Sequence, residues 1–192
     1  MQQFDLTLEK DFVQTHAVVG CKAFDKFDQK RYIMVLLNNI LGGSGMSSRL
    51  NLAIREKYGY VYTIGSTYST HTDIGVFSVY LGTDDAYLNR AVKLIYKEFN
   101  KLRKEELTKR QLQKVRNQLL GNVAMLEENH AVLMQSQAKS LLDYDRVITL
   151  DEFFSQIEKV TAEQIQATAN ATLTEENMSL LIYKPKENGI FK

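Results

Sequence analysis

Arg55 and Tyr62 stand seven residues apart, shortly after a turn rich in glycine, Gly42-Gly43-Ser44-Gly45. A guanidinium offers five fixed donors and a phenol one, so the pair can grip backbone carbonyls of an extended peptide, or an oxyanion developing on one of them. Around them, Gly42, Gly43 and Gly45 permit positive φ, Ser47 or Ser48 can cap a helix, and Gly59 can end that helix before a β-rich run. Arg55 is therefore expected on the last turn of a helix and Tyr62 on a strand. Two plainer roles stay open. An Arg near a helix C-terminus meets the dipole favourably, and a strand Tyr can simply pack.

Other chemistries fare worse. Glycine-rich turns also cradle phosphates at helix N-termini, but a P-loop needs Lys and then Ser or Thr after its last glycine, where this chain has Met46. A dinucleotide fingerprint follows a strand, whereas this turn follows a helical pattern. The three histidines, His16, His71 and His130, are 55 and 59 residues apart, so no two share a helical turn. Glu127 and His130 form an isolated E-x-x-H; di-iron bundles need two copies and further carboxylates, and a solvated helix end is the simpler reading. Cys21 is the only cysteine, which excludes an intramolecular disulfide and a multi-cysteine metal site. Its apolar surroundings read as a strand.

The elements that must position these residues follow from periodicity. Asp11 to Phe24 alternates as a strand, and Asp28 to Leu41 places Ile33, Leu36, Leu37, Ile40 and Leu41 on one helical face. A short helix over Ser48 to Lys57 precedes two strands, Tyr60 to Ser69 and Gly75 to Leu81, joined as a hairpin through Thr70-His-Thr-Asp73. A long helix from Thr83 or Asp84 toward Leu102 carries Leu88, Ala91, Val92, Ile95 and Phe99. Thr108 with Gln111, Thr149 with Glu152 and Thr161 with Gln164 are capping signatures for further helices. Met178 to Tyr183 closes the order as a buried strand.

Helix-rich and strand-rich stretches are segregated, so the expected class is α+β, a mostly antiparallel sheet covered by helices on one face. The 192 residues, 44% hydrophobic, suit a single domain spanning 1–192, with 1–10 and 184–192 as loose ends. A net charge of +1 leaves no electrostatic footprint for nucleic acid or an anionic membrane. No run approaches the ~18 apolar residues of a membrane span, and the N-terminus lacks the pattern of a secretory signal. The domain is expected to be soluble, and its compartment is left unassigned.

The stretch LGGSGMSSRLNLAIREKYGYVYTIGS is similar to the signature of the second domain in the pitrilysin, insulinase and mitochondrial processing peptidase family of zinc metallopeptidases. The family pattern is a glycine-rich turn, then Met-x-Ser-Arg-Leu, then Arg-Glu-x-x-Gly-x-x-Tyr. Here it is carried by Gly45, Met46, Ser48, Arg49, Leu50, Arg55, Glu56, Gly59 and Tyr62. The resemblance implies that Arg55 and Tyr62 are the pair that binds substrate and stabilises the transition state opposite the metal. It also implies that Gly42, Gly43, Ser44 and Gly45 handle substrate, as the glycine-rich segment of processing-peptidase relatives does; the plainer role, ending one helix and starting another, stays open.

The zinc half of such enzymes uses H-x-x-E-H, whose two His bind metal while the Glu activates water, and this chain has no such motif. By the resemblance, no cofactor is expected in this domain, and zinc belongs to a separate H-x-x-E-H domain in the same chain or another subunit. The substrate would be a peptide held extended, with main-chain bonds along an edge strand, and a homo-oligomer is left open. Two other readings are a structural or assembly domain of a catalytically inactive relative, and a peptide-binding module without chemistry. The size resembles one domain of a family whose chains hold two or four.

Overall fold

The computed structural model describes residues 3–43 and 48–186, apart from the side chain of Glu127. Among the described residues five strands form one sheet: β1 (Asp5–Lys10), β2 (Thr15–Ala23), β3 (Thr63–Thr70), β4 (Gly75–Thr83) and β5 (Ser179–Pro185). Their spatial order is β1-β5-β2-β4-β3. All neighbours are antiparallel except β1 and β5, which run parallel with Asp5 opposite Leu180 and Lys10 opposite Pro185. Asp5–Lys10, expected as a loose end, is therefore an edge strand, and Lys184 and Pro185 belong to its partner. No local pattern could show this pairing, because the two strands come from opposite ends of the chain. Residues 187–192 lie outside the described set.

The α+β reading holds, with helices on one face. In β2 the side chains of Ala17, Val19 and Cys21 are buried, and they lie opposite Leu81, Val79 and Phe77 of β4, also buried. The alternate residues Val76 and Tyr80 look outward, as the two-residue period of a strand demands. Over the buried face lie α1 (Arg31–Gly42), α2 (Asp85–Lys104) and α6 (Ala162–Thr172). From α1 come Met34, Leu36, Leu37 and Leu41, and from α2 come Leu88, Ala91, Ile95 and Phe99, all but fully buried. Burial of the Leu, Ile, Met and Phe side chains among these stabilises by roughly 1.5–3 kcal/mol each, which outweighs the modest propensities of the individual elements.

The outer helices are α3 (Lys109–Glu127), α4 (His130–Tyr144) and α5 (Leu150–Lys159). Thr108 and Thr161 form the reciprocal boxes expected of them, each hydroxyl accepting from the third backbone N–H while the Gln side chain accepts from the cap's own N–H. Thr149 does half of this. Its hydroxyl accepts from Glu152 N, but the Glu152 carboxylate is bound instead by the two guanidinium nitrogens of Arg146, at 2.7 and 2.6 Å. Helix α4 had no counterpart among the elements read from sequence. It has no buried residue, and Asn129 caps its start.

Candidate functional site

The glycine turn begins where α1 meets β3. A Cβ on Gly42 would sit 2.4 Å from the backbone N of Ser66, and one on Gly43 would sit 2.7 Å from Cα of Asn39. Both glycines are thus demanded by close approach of backbones. Ser66 Oγ seals the junction by donating to the Asn38 side chain at 2.7 Å. The expectation that Gly42 and Gly43 use the left-handed region is corrected: Gly42 closes a helix, Gly43 has φ −59°, and the positive-φ glycine among the described residues is Gly59, at 62°. Gly42 is buried and Gly43 half-buried, while Ser44 and Gly45, with Met46 and Ser47, lie outside the described residues.

Beyond the turn, Asn51–Glu56 winds as a π-helical segment, with Lys57 N donating to Leu52 O at 3.2 Å. Such wide turns are rare and occur frequently at functional sites. Leu50 and Ile54 anchor it in the core, and the buried amide of Asn51 donates to Ser48 Oγ at 3.0 Å. Arg49 is partly buried. Burial pulls its guanidinium down while Glu98 and Glu105 oppose that pull, which ties the segment electrostatically to α2. Arg55 occupies the last turn as expected, exposed, and its side chain has no hydrogen-bond or ion-pair partner among the described residues. Gly59 ends the turn, its N–H donating to Arg55 O at 2.9 Å.

Tyr62 lies one residue before β3 instead of within it, although its N–H donates to Gly82 O at 2.9 Å and extends the ladder. Its side chain is 54% exposed. The phenol donates to Asp84 Oδ2 at 2.8 Å, and that bond is the main reason the phenol is held above its ordinary pKa. Asp84 is the N-cap residue of α2, yet its side chain caps nothing. An N-cap Asp normally accepts from the first-turn N–H groups, so here the carboxylate serves Tyr62 at the helix's expense. Sequence reading marked Asp84 only as a helix start and missed this role. No bond joins Arg55 to Tyr62; the two exposed groups flank the tight segment Tyr58–Val61.

Elsewhere the titratable groups are dispersed. His16 Nδ1 pairs with the Tyr80 hydroxyl at 2.8 Å and its ring lies edge-on to Phe12; His71 sits in the hairpin loop and His130 opens α4. The side chain of Glu127, the other half of the E-x-x-H, lies outside the described residues. No three His, Cys, Asp or Glu side chains among the described residues come together to hold a metal. Cys21 is buried, and desolvation pushes its thiol up to about 12, the opposite of an activated nucleophile.

Residues 3–119 match the family model described as the peptidase M16 inactive domain, and the chain belongs to that family. It is similar to the uncharacterized zinc protease YmxG of Bacillus subtilis, 30% identical over 183 residues, covering 95% of this chain and 44% of that protein. An uncharacterized zinc protease of Streptomyces coelicolor is 31% identical over 160 residues, covering 83% of this chain and 35% of that protein. The crystal structure of a peptidase M16 inactive domain from Pseudomonas fluorescens superposes with a TM-score of 0.82 at 25% identity, covering 96% of this chain and 44% of that one. The chain thus spans less than half the length of these relatives. Among the described residues no helix is long and apolar enough to cross a membrane.

Proposed function

We propose that this domain binds an extended peptide and stabilises the transition state of its hydrolysis, acting opposite a separate domain that carries an H-x-x-E-H zinc site. The observation that carries the reading is the exposure of the two groups: Arg55 is exposed with no partner among the described residues, and the Tyr62 phenol is 54% exposed and oriented by its hydrogen bond to Asp84. By turning its one O–H from Asp84 to the scissile carbonyl oxygen, the phenol stabilises that oxygen as it becomes anionic. Arg55 acts as a positioning cation on the peptide backbone. The metal, its ligands and the water-activating base belong to the other domain, and no step passes through a metal held here.

Membership of a zinc-protease family and relatives about twice as long support a zinc-bearing partner in the same chain. Gly42, Gly43, Ser44 and Gly45 are proposed to shape the wall along which the peptide runs.

The test is cleavage by the domain combined with its zinc-bearing counterpart. Tyr62→Phe is expected to lower kcat by about 10²- to 10³-fold, the usual cost of one preorganised donor. Arg55→Ala is expected to act more on KM. Undiminished turnover in both variants overturns the assignment. It would favour the structural or assembly reading; the same fold occurs in a chain of Complex III2 from Candida albicans, which superposes with a TM-score of 0.83 at 13% identity.

A further inference from the structure

Next to Arg55 and Tyr62 stands a feature that the hydrolytic roles leave unused. Tyr58, Tyr60 and Tyr87 form a stack, with ring centroids 5.3 and 5.2 Å apart and interplanar angles of 17° and 14°. The middle ring is half-buried against the core, and its backbone is fixed by Ile54 O at 3.3 Å on one side and by the Thr83 hydroxyl on the other. The end rings remain open: Tyr58 is 42% exposed and Tyr87 37%. Neither end ring serves the core. The stack is also tied to the phenol above, because Asp84 accepts from Tyr87 N at 3.0 Å through its carbonyl and from Tyr62 through its carboxylate.

We propose that this tyrosine stack is a side-chain subsite for an aromatic residue of the bound peptide, favouring acidic or neutral neighbours over basic ones. The proposal rests on the peptide-binding reading and adds the substrate class. Rigid, partly exposed tyrosines supply large contact area at low conformational cost, and a further ring gains by stacking or meeting an edge.

Charge sets the second half of the preference. Lys57 Nζ lies 5.3 Å from the Tyr58 centroid and the Arg90 guanidinium 6.0 Å from that of Tyr60, so cations beside the stack disfavour a basic neighbour, while the exposed Tyr87 ring has no cation over it among the described residues and is the face left to a further ring. Asp84 is engaged by Tyr62, and Asp85 by Lys184 at 2.8 Å. Glu56 has no bonded partner among the described residues, which leaves it to set against Arg55, Lys57 and Arg90.

Titrating the 192-residue chain with the blocked peptides Ac-Ala-Asp-Phe-Ala-NH2, Ac-Ala-Asp-Ala-Ala-NH2 and Ac-Ala-Lys-Phe-Ala-NH2, followed by tyrosine ring NMR signals, tests this. The Phe peptide is expected to bind about ten-fold more tightly than its Ala counterpart, within the range of one aromatic pair plus its burial, and more tightly than the Lys peptide. Tyr58→Leu with Tyr87→Leu should erase the preference at unchanged melting temperature, and Tyr58→Phe should keep it. Equal binding of the Phe and Ala peptides overturns the subsite and leaves the Arg55 and Tyr62 roles to the cleavage assay. Tighter binding of the Lys peptide overturns the charge preference, and no binding of any peptide at millimolar concentration overturns the proposal as a whole.

Discussion

At the scale of single residues the decisive contact is Tyr62 with Asp84. Because the hydrogen bond to Asp84 is the largest cause of the raised phenol pKa, removing the carboxylate should let Tyr62 ionise at lower pH. Asp84→Ala is therefore expected to shift the Tyr62 titration downward toward its ordinary value of 10.0, seen by ring chemical shifts against pH. In the combined peptidase the alkaline limb of the kcat/KM profile should move the same way. A merely structural Asp84 would change the melting temperature and leave that limb in place. Asp84→Asn keeps a good N-cap residue but gives up the charged acceptor, so it should shift the titration with little effect on helix α2.

Among the elements, α4 is held differently from the rest. With no buried residue of its own, it depends on its C-terminal end. Lys26, buried between β2 and α1, donates to Asp143 Oδ1 at 2.8 Å, and the Tyr144 hydroxyl donates to Lys26 O at 3.1 Å. Arg31 donates to that same carbonyl at 2.7 Å and lies over the Tyr144 ring. Asp143→Ala should raise amide exchange across residues 130–144 by about ten-fold, as loss of a charge-assisted bond predicts, while α1 and α2 stay protected. The sign with pH follows from linkage. Lys26 holds the Asp143 carboxyl below its ordinary value of 3.8, so the contact is complete above that pH and is lost as pH falls through the depressed folded value.

For the molecule as a whole, burial of acids that ionise only at high pH gives the core an alkaline weakness. Desolvation raises the Cys21 thiol from 9.0 to about 12 and also lifts the Tyr68 phenol well above its ordinary range. The unfolded chain releases these protons earlier than the folded one. Stability is thus expected to be full below pH 9 and to fall as pH rises above it, measurable as a declining denaturant midpoint. Reaction of Cys21 with a thiol reagent should likewise be slow in the native chain and fast in denaturant. A native thiol reacting at the unfolded rate would contradict its placement against the sheet's helical face.

What the chain determined by itself was local. The boxes of Thr108–Gln111 and Thr161–Gln164, the stripe of α2, the hairpin of β3 and β4, and the motif around Arg55 and Tyr62 all depend on partners a few residues apart or on a repeat legible in one dimension. Helix α4 escaped because an outer helix without a buried face carries no clear stripe. Only the folded structure decided that Asp5–Lys10 pairs with β5, that Gly42 is needed for closeness to Ser66 and not for positive φ, and that Asp84 turns from its helix to Tyr62. These contacts join residues 22 or more apart in sequence, and their geometry exists only once packing of the sheet and helices has met the cost of closing the intervening loops.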